Sequence, residues 1–311
     1  MLVKPLSVCR ETLKNNILLA PMAGYTDYAF RHNALKLGYG FCFTELVSAK
    51  GLCYGGDGSK RLLYSDGDYD KTGVQLFGSD PYYMRKALES EELKDFKIVD
   101  INMGCPVPKV FKNGEGSALL LDINKAEKIV KECVKSGKII TAKIRTGQKR
   151  GDDVAKDFAV MLEQAGASMV TIHGRVREAY YSGEVDYNAI KKAKDAVNIP
   201  VIANGGIFTV QDAKKIVDET GVDGIMLARG AIDNPFLISE LLHKTPPCTL
   251  KQFMIDQLEL LRQLNGEKSV VEFRKFLPCY FKGQRNSKEM RQKLMGVSTV
   301  TEFIDILSDL L

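Results

Sequence analysis

Short apolar runs of strand length recur through the first three quarters of the chain. They fall at Ile17–Met22, Phe41–Glu45, Gly73–Phe77, Ile98–Asn102, Ile139–Ile144, Met169–His173, Val201–Asn204 and Gly224–Ala228. Between most of them lies a longer stretch with apolar residues at helical spacing: Pro81–Leu88, Lys125–Lys135, Val154–Glu163, Tyr187–Ala196 and Val210–Glu219. The stretch between the second and third runs is long and glycine-rich around Gly55–Gly58. Strand followed by helix, repeated eight times over about 245 residues, predicts a (β/α)8 TIM barrel, whose usual size is ~250 residues. The rival is an open doubly wound sheet. That fold places a G-x-G-x-x-G turn after its first strand, and neither Gly56-x-Gly58 nor Gly114-x-Gly116 completes the pattern. Beyond Thr245 a Thr-Pro-Pro break ends the alternation and no strand-like run follows. Thr249–Leu264, Val270–Phe281, Ser287–Met295 and Thr301–Leu310 all have helical spacing. The expected organisation is a barrel over residues 1–245 and a C-terminal all-helical domain over 246–311.

With 311 residues, 45% hydrophobic and 27% charged, the chain can bury a sizeable core and is not of the disordered type. It has no run of eighteen apolar residues and no signal-peptide core at its N-terminus, so a cytoplasmic protein without a membrane partner is expected. Seven scattered cysteines, never spaced C-x-x-C, and three histidines predict neither a disulfide framework nor a metal site. The net charge of +5 is unevenly distributed. Lys268–Lys293 holds eight basic residues against Glu272 and Glu289, a surplus larger than that of the whole chain. A solvated helical face is one reading; a surface for nucleic-acid phosphates, including Arg274, Lys282 and Arg285, is the other.

In a barrel, chemistry gathers where strands give way to βα loops, and polar residues gather there in this chain. The third strand carries Gln75, the fourth ends at Asn102 with Cys105 beyond, the fifth carries Lys143 and the sixth ends at His173. The seventh ends at Asn204-Gly205-Gly206 and the eighth at Ala228-Arg229-Gly230. Glycine backbone near a fixed guanidinium suits a phosphate, although Gly205 and Gly206 could equally form a tight turn. Lys143, in an otherwise apolar strand, needs an anionic partner: either a reduced flavin or a buried carboxylate. His173 reads as a satisfied polar group or a direct participant. Cys105 sits at a strand mouth, where an ordinary thiol can serve as a general acid or as a nucleophile.

The strings Ala20-Pro21-Met22-Ala23-Gly24-Tyr25-Thr26-Asp27, Val74-Gln75-Leu76-Phe77-Gly78 and Asp100-Ile101-Asn102-Met103-Gly104-Cys105-Pro106, with Lys109, resemble the bacterial tRNA-dihydrouridine synthase family. So do Lys143-Ile144-Arg145, His173-Gly174-Arg175, Asn204-Gly205-Gly206-Ile207 and Ala228-Arg229-Gly230. The resemblance runs in order through all eight strands. It implies an FMN-binding barrel, a tRNA-binding helical domain and NADPH or NADH as reductant, with the C5=C6 bond of specific uridines reduced. On this chain Pro21, Met22 and Ala23 would pack on the flavin and Gln75, Lys143 and His173 would contact its rings. Asn204, Gly205, Gly206, Ala228 and Arg229 would hold the ribityl phosphate, and Cys105 would be the proton donor. Asn102, Lys109 and Arg175 would face the uracil or its neighbours, and a monomer is expected. Three positions depart from the family: Gly206 stands where Asp is common, Ala228 where Gly is common, and Tyr187 where Trp is frequent. Two other functions fit the pattern less fully: a barrel flavoenzyme acting on a free small molecule, as in dihydroorotate dehydrogenase-like proteins, and a non-catalytic RNA-binding protein.

Overall fold

The computed structural model describes residues 3–310. After a hairpin of β1 (Leu6–Val8) and β2 (Glu11–Leu13), eight parallel strands close into a barrel. These are β3 (Ile17–Leu19), β4 (Phe41–Ser48), β5 (Thr72–Phe77), β6 (Ile98–Met103), β7 (Ile139–Arg145), β8 (Val170–His173), β9 (Val201–Asn204) and β10 (Gly224–Leu227). Pairing follows chain order, and β10 returns to β3 with Ile225 opposite Ile17. The eight apolar runs are therefore the eight barrel strands, with shifted ends. β3 stops at Leu19 because Met22 O receives the amides of Tyr25 and Thr26, turning the chain into a loop. β4 runs on to Ser48 across a register shift between Phe43 and Leu46.

Alternation along the strands sorts side chains into two shells. In β6, Val99, Ile101 and Met103 face the helices, while Ile98, Asp100 and Asn102 face the barrel axis; in β7, Ile140, Ala142 and Ile144 face out and Ile139, Thr141 and Lys143 face in. The axis itself is graded. Toward the N-terminal end, Leu18, Phe41, Phe43, Ile98, Ile139, Met169, Ile202 and Met226 form an apolar plug, closed by Leu6, Val8 and Leu13 of the hairpin. The inward positions nearer the C-terminal ends are polar.

A helix at Tyr28–Leu37, outside the helical stretches expected from spacing, follows β3. Its buried face includes Arg31 and Asn33 beside Phe30, Ala34 and Leu37, which blurs the apolar period. Asp27 caps it by accepting from the Phe30 amide at 2.9 Å. The glycine-rich stretch after β4 likewise contains short helices, Ala49–Cys53 and Asp57–Leu63.

Residues 250–310 form helices joined by turns, with no strand among them. The helix expected over Val270–Phe281 is divided into Ser269–Phe273, a 3₁₀ turn at Arg274–Phe276, and Leu277–Tyr280, the last piece beginning around Pro278. Rings bind this region to the barrel: Phe276 stacks on Phe30 at 5.6 Å and on Tyr280 at 5.4 Å, with Tyr25 edge-on at 5.5 Å. The buried apolar residues of barrel exterior and tail form one continuous cluster.

Candidate active site

A cavity of about 370 Å³ opens at the C-terminal ends of the strands, within the ordinary range for a cofactor or ligand site. Most of the residues expected at a site line it: Pro21, Met22, Ala23, Gln75, Asn102, Cys105, Lys143, His173, Arg175, Asn204, Gly205, Gly206, Ala228 and Arg229. Lys109 is exposed on the helix Pro108–Lys112 just outside. Tyr25, Asp233 and Cys279 also reach the cavity, so the helical tail contributes to its wall.

The floor is a hydrogen-bond relay built on period-two positions. Asp100 is buried; its Oδ1 accepts from Thr141 Oγ1 and its Oδ2 from Gln75 Nε2, both at 2.7 Å. Because a carboxylate mainly accepts, it fixes the Gln75 amide with its oxygen pointing the other way. That oxygen accepts from Asn102 Nδ2 at 2.8 Å, and Asn102 Oδ1 in turn accepts the backbone N–H groups of Gly104 (3.2 Å) and Cys105 (2.9 Å). The relay thus orients the Cys105 loop from within the barrel. Burial raises the Asp100 carboxyl to about 6, against the opposing pull of its donors and of Lys143. Burial likewise raises the Cys105 thiol, the Arg145 charge opposing it only in part, so the group is a thiol at neutral pH.

Cations crowd the opposite wall. Lys143 Nζ donates to Asn204 Oδ1 at 2.8 Å, a neutral acceptor, and forms no ion pair among the described residues. Burial, then the neighbouring Arg145, lower its pKa to about 7. His173 is held well below its usual value, first by burial and then by Lys143, Arg145, Arg175 and Arg229, so its ring is neutral. Its Nε2 lies 3.3 Å from Arg175 Nη1. Arg175, expected to face the uracil or its neighbours, lines the cavity and leans over the glycine turn: a Cβ on Gly205 would lie 3.1 Å from Nη1, and one on Gly206 3.8 Å from Nη2. Gly205 and Gly206 have φ of +106° and +71°, and a Cβ on Gly205 would strike His173 at 2.6 Å, so both the turn and the space require glycine.

A model of the dihydrouridine synthase (Dus) family matches residues 18–310. Over 315 aligned residues, the chain is 35% identical to a probable tRNA-dihydrouridine synthase 1 of Synechocystis sp., covering 98% of this chain and 88% of that protein. It is 33% identical to tRNA-dihydrouridine synthase B of Vibrio parahaemolyticus, covering 95% of each. The chain belongs to the dihydrouridine synthase family. It is an enzyme, a flavin-dependent oxidoreductase. Among solved structures, histamine dehydrogenase from Rhizobium sp. 4-9 superposes with a TM-score of 0.61 at 14% identity, over 83% of this chain and 50% of that one. TcOYE with pHBA gives 0.54 at 12%, over 77% and 92%. These two share the barrel.

Within this family member, several residues beyond the expected set shape the cavity. Asp100, an acidic residue in an apolar strand, anchors the relay. Arg145 is buried and ties two loops together, donating through Nε to Gly104 O at 2.8 Å and through Nη1 to Val176 O at 3.0 Å. Tyr181 covers the cations: its ring lies 5.7 Å from the Arg145 guanidinium and 5.2 Å from that of Arg229, whose Nη2 donates to Tyr181 O at 2.9 Å. The strand-end rule marks Arg145, the last residue of β7. Tyr181 lies in an irregular loop, and no periodicity points to it.

The basic residues of the tail are less available than their count implies. Arg274 is half-buried and donates to Val297 O at 2.7 Å, and Lys282 pairs with Asp233 at 2.5 Å. Arg285 is exposed, with no ion pair among the described residues. No helix among the described residues is long and apolar enough to cross a membrane, and no group of three or more His, Cys, Asp or Glu there could hold a metal.

Proposed function

We propose that this enzyme reduces the C5=C6 bond of uridines in tRNA, with FMN as its cofactor, NADPH or NADH as the electron source and Cys105 as the proton donor. The observation that carries the reading is the division of the cavity into a wall of cations with no carboxylate paired to them among the described residues and a protonated thiol on an oriented loop. The residues present fit FMN. Lys143 is half-buried at the cavity and, among the described residues, donates only to a neutral acceptor, which an electron-rich ring edge would complement. Gly205, Gly206, Arg175 and Arg229 form a concave cationic turn suited to a phosphate dianion. When bound, FMN supplies a hydride, drawn from the nicotinamide, to C6 of the uracil.

The chain's own residues supply the remainder. Pro21, Met22 and Ala23 form one wall for the ring system, and Gln75, locked by Asp100, presents a fixed amide beside it. Asn204 holds Lys143 Nζ in place, and Ala228 leaves room beside Arg229. Asn102 aims the Cys105 loop, and the Cys105 thiol gives its proton to C5 of the uracil as hydride reaches C6; the thiolate then recovers a proton from water. A uracil stacked within a helix cannot reach this floor, so the target nucleotide must be splayed out of a folded RNA. Lys109, on the outer rim, lies where phosphates flanking that nucleotide would pass. The helical region supplies charge for the body of the tRNA through Arg285, with Lys282 held beside the cavity by Asp233 and Arg274 supporting that surface from beneath.

Incubating the purified protein with an unmodified tRNA transcript and NADPH is the test. Dihydrouridine in the transcript, with a flavin absorbance band in the protein, is the expected result. Reduction of free uracil or orotate with no reaction on tRNA would favour the small-molecule flavoenzyme instead.

A further inference from the structure

Three tyrosines gather beside the barrel mouth, on segments that follow β4 and β5. Tyr54 ends the helix after β4, and Tyr82 and Tyr83 open the helix Pro81–Leu88 after β5. Tyr54 and Tyr82 are 69% and 63% exposed, among the most exposed large nonpolar residues described. They are not scattered singly. The Tyr54 and Tyr83 hydroxyls meet at 2.7 Å, their rings are 5.9 Å apart, and the Tyr82 and Tyr83 rings lie edge to face at 5.3 Å. Cations accompany the rings: Lys50 Nζ is 5.4 Å from the Tyr83 centroid and Lys86 Nζ 5.9 Å from that of Tyr82. Both lysines are exposed and neither forms an ion pair among the described residues. Tyr83 is half-buried and helps join the two helices, but the Tyr54 and Tyr82 rings stand largely outside, and exposed aromatic surface gathered in one place marks an interaction site.

The patch is continuous with the reaction centre. The loop after Cys105 folds back so that Ser117 donates through Oγ (2.7 Å) and N (3.1 Å) to Cys105 O, and its preceding turn accepts, at Asn113 O, from Ser79 Oγ at 3.1 Å, in the segment that leads into the tyrosine helix. A chain leaving the Cys105 side of the cavity along this loop arrives at the tyrosines. Flat, sequence-indifferent rings interleaved with ammonium groups free of ion pairs among the described residues match unpaired bases on a phosphate backbone.

We infer that Tyr54, Tyr82 and Tyr83, with Lys50 and Lys86, form a stacking platform for unpaired nucleotides of the substrate RNA flanking the one in the cavity. This inference rests on the tRNA reading above and extends it to a surface separate from the helical tail. The platform holds the strand that continues from the splayed-out nucleotide, keeping it from restacking.

The test uses the flavin-loaded full chain and an unmodified tRNA transcript at fixed salt. Tyr54→Ala with Tyr82→Ala is expected to weaken tRNA binding on the order of tenfold, as befits loss of one or two stacked bases. Tyr82→Phe should bind as wild type and Tyr82→Leu should not, because a flat ring is required and not merely apolar area. Lys50→Glu with Lys86→Glu should lower the slope of log Kd against log salt by about 1.5, the value for two lost phosphate contacts. NADPH-driven flavin reduction without tRNA should be unchanged in all of them. Wild-type Kd and salt slope in both double variants would overturn the platform while leaving the proposed activity intact. A wild-type protein that neither binds nor modifies tRNA would overturn both.

Discussion

Two regions of the molecule are rich in positive charge, and they use it in opposite ways. Along 268–293 the surplus is large, yet much of it is spent locally: Lys275 reaches Asp27 at 3.5 Å, Lys282 meets Asp233, Lys293 meets Glu289 at 3.4 Å, and Arg274 donates to Val297 O. At the cavity the cations are fewer, but Lys143, Arg145, Arg175 and Arg229 converge with no carboxylate paired to any of them among the described residues. Desolvation makes that arrangement expensive, as the lowered Lys143 and His173 show. Surface charge that is paired and hydrated says little about function. Like charge gathered around one cavity against its own repulsion makes that cavity the candidate site for an anion.

The comparison can be broken most severely at the cavity. Cys105→Ala should lower dihydrouridine formation on tRNA by at least about 10²-fold, the usual weight of a general acid, while flavin content and tRNA-independent NADPH oxidation persist. Product formed at the wild-type rate by this variant would remove the thiol from its role. Next in size, Asp100→Leu leaves Gln75 Nε2 and Thr141 Oγ1 without their acceptor. It should destabilise the protein by about 1–3 kcal/mol and slow turnover more than it changes the KM for tRNA, since the relay ends at the Cys105 loop; thermal melts and steady-state kinetics measure the two effects.

Lys143→Met should act with the opposite sign on stability. In the flavin-free wild type, Lys143 is lowered to about 7 from 10.5, so between those values the folded state binds fewer protons than the unfolded state. Stability therefore gains from this residue as pH rises from about 7 toward 10.5. The methionine variant should lack that gain, melt higher by several degrees at pH 7 and bind FMN more weakly. A flavin-free variant that is less stable at pH 7 would contradict an uncompensated ammonium at this position. The smallest effect belongs to the tail: Arg285→Glu should weaken tRNA binding only two- to threefold and reduce the salt slope by roughly 1, read by binding at several salt concentrations. A loss as large as that of the tyrosine double variant would place the dominant RNA contact on the tail and reverse the ranking of the two surfaces.

Legibility in the sequence follows the physics of each element. Barrel strands are buried on both faces by local runs of apolar residues, so all eight can be found from the chain alone, and their C-terminal ends point to Gln75, Asn102, Cys105, Lys143 and His173. The helix Tyr28–Leu37 is hidden because Arg31 and Asn33 are buried by partners distant in sequence: Arg31 Nη2 donates to Tyr64 O at 2.6 Å, and Asn33 Nδ2 to Phe253 O at 3.3 Å. Asp100 and Arg145 stand within motifs quoted from the sequence, but what they bind is visible only when neighbouring strands set the register, Gln75 opposite Asp100 and Asn102 opposite Lys143. Charge misleads most, since a count along 268–293 cannot distinguish an ammonium paired with Asp233 from one open to solvent.

The barrel, the helical tail, the family and the strand ends that line the cavity were legible along the chain, because these depend on local periodicity and contiguous motifs. Only the tertiary structure decided which charges are free and which are paired, that Arg175 leans on the glycine turn, that Cys279 and Asp233 wall the cavity, and that three tyrosines from two helices share one rim. Those facts depend on distances between residues far apart in the chain, and Coulomb energies, hydrogen bonds and ring contacts are set by distance in space.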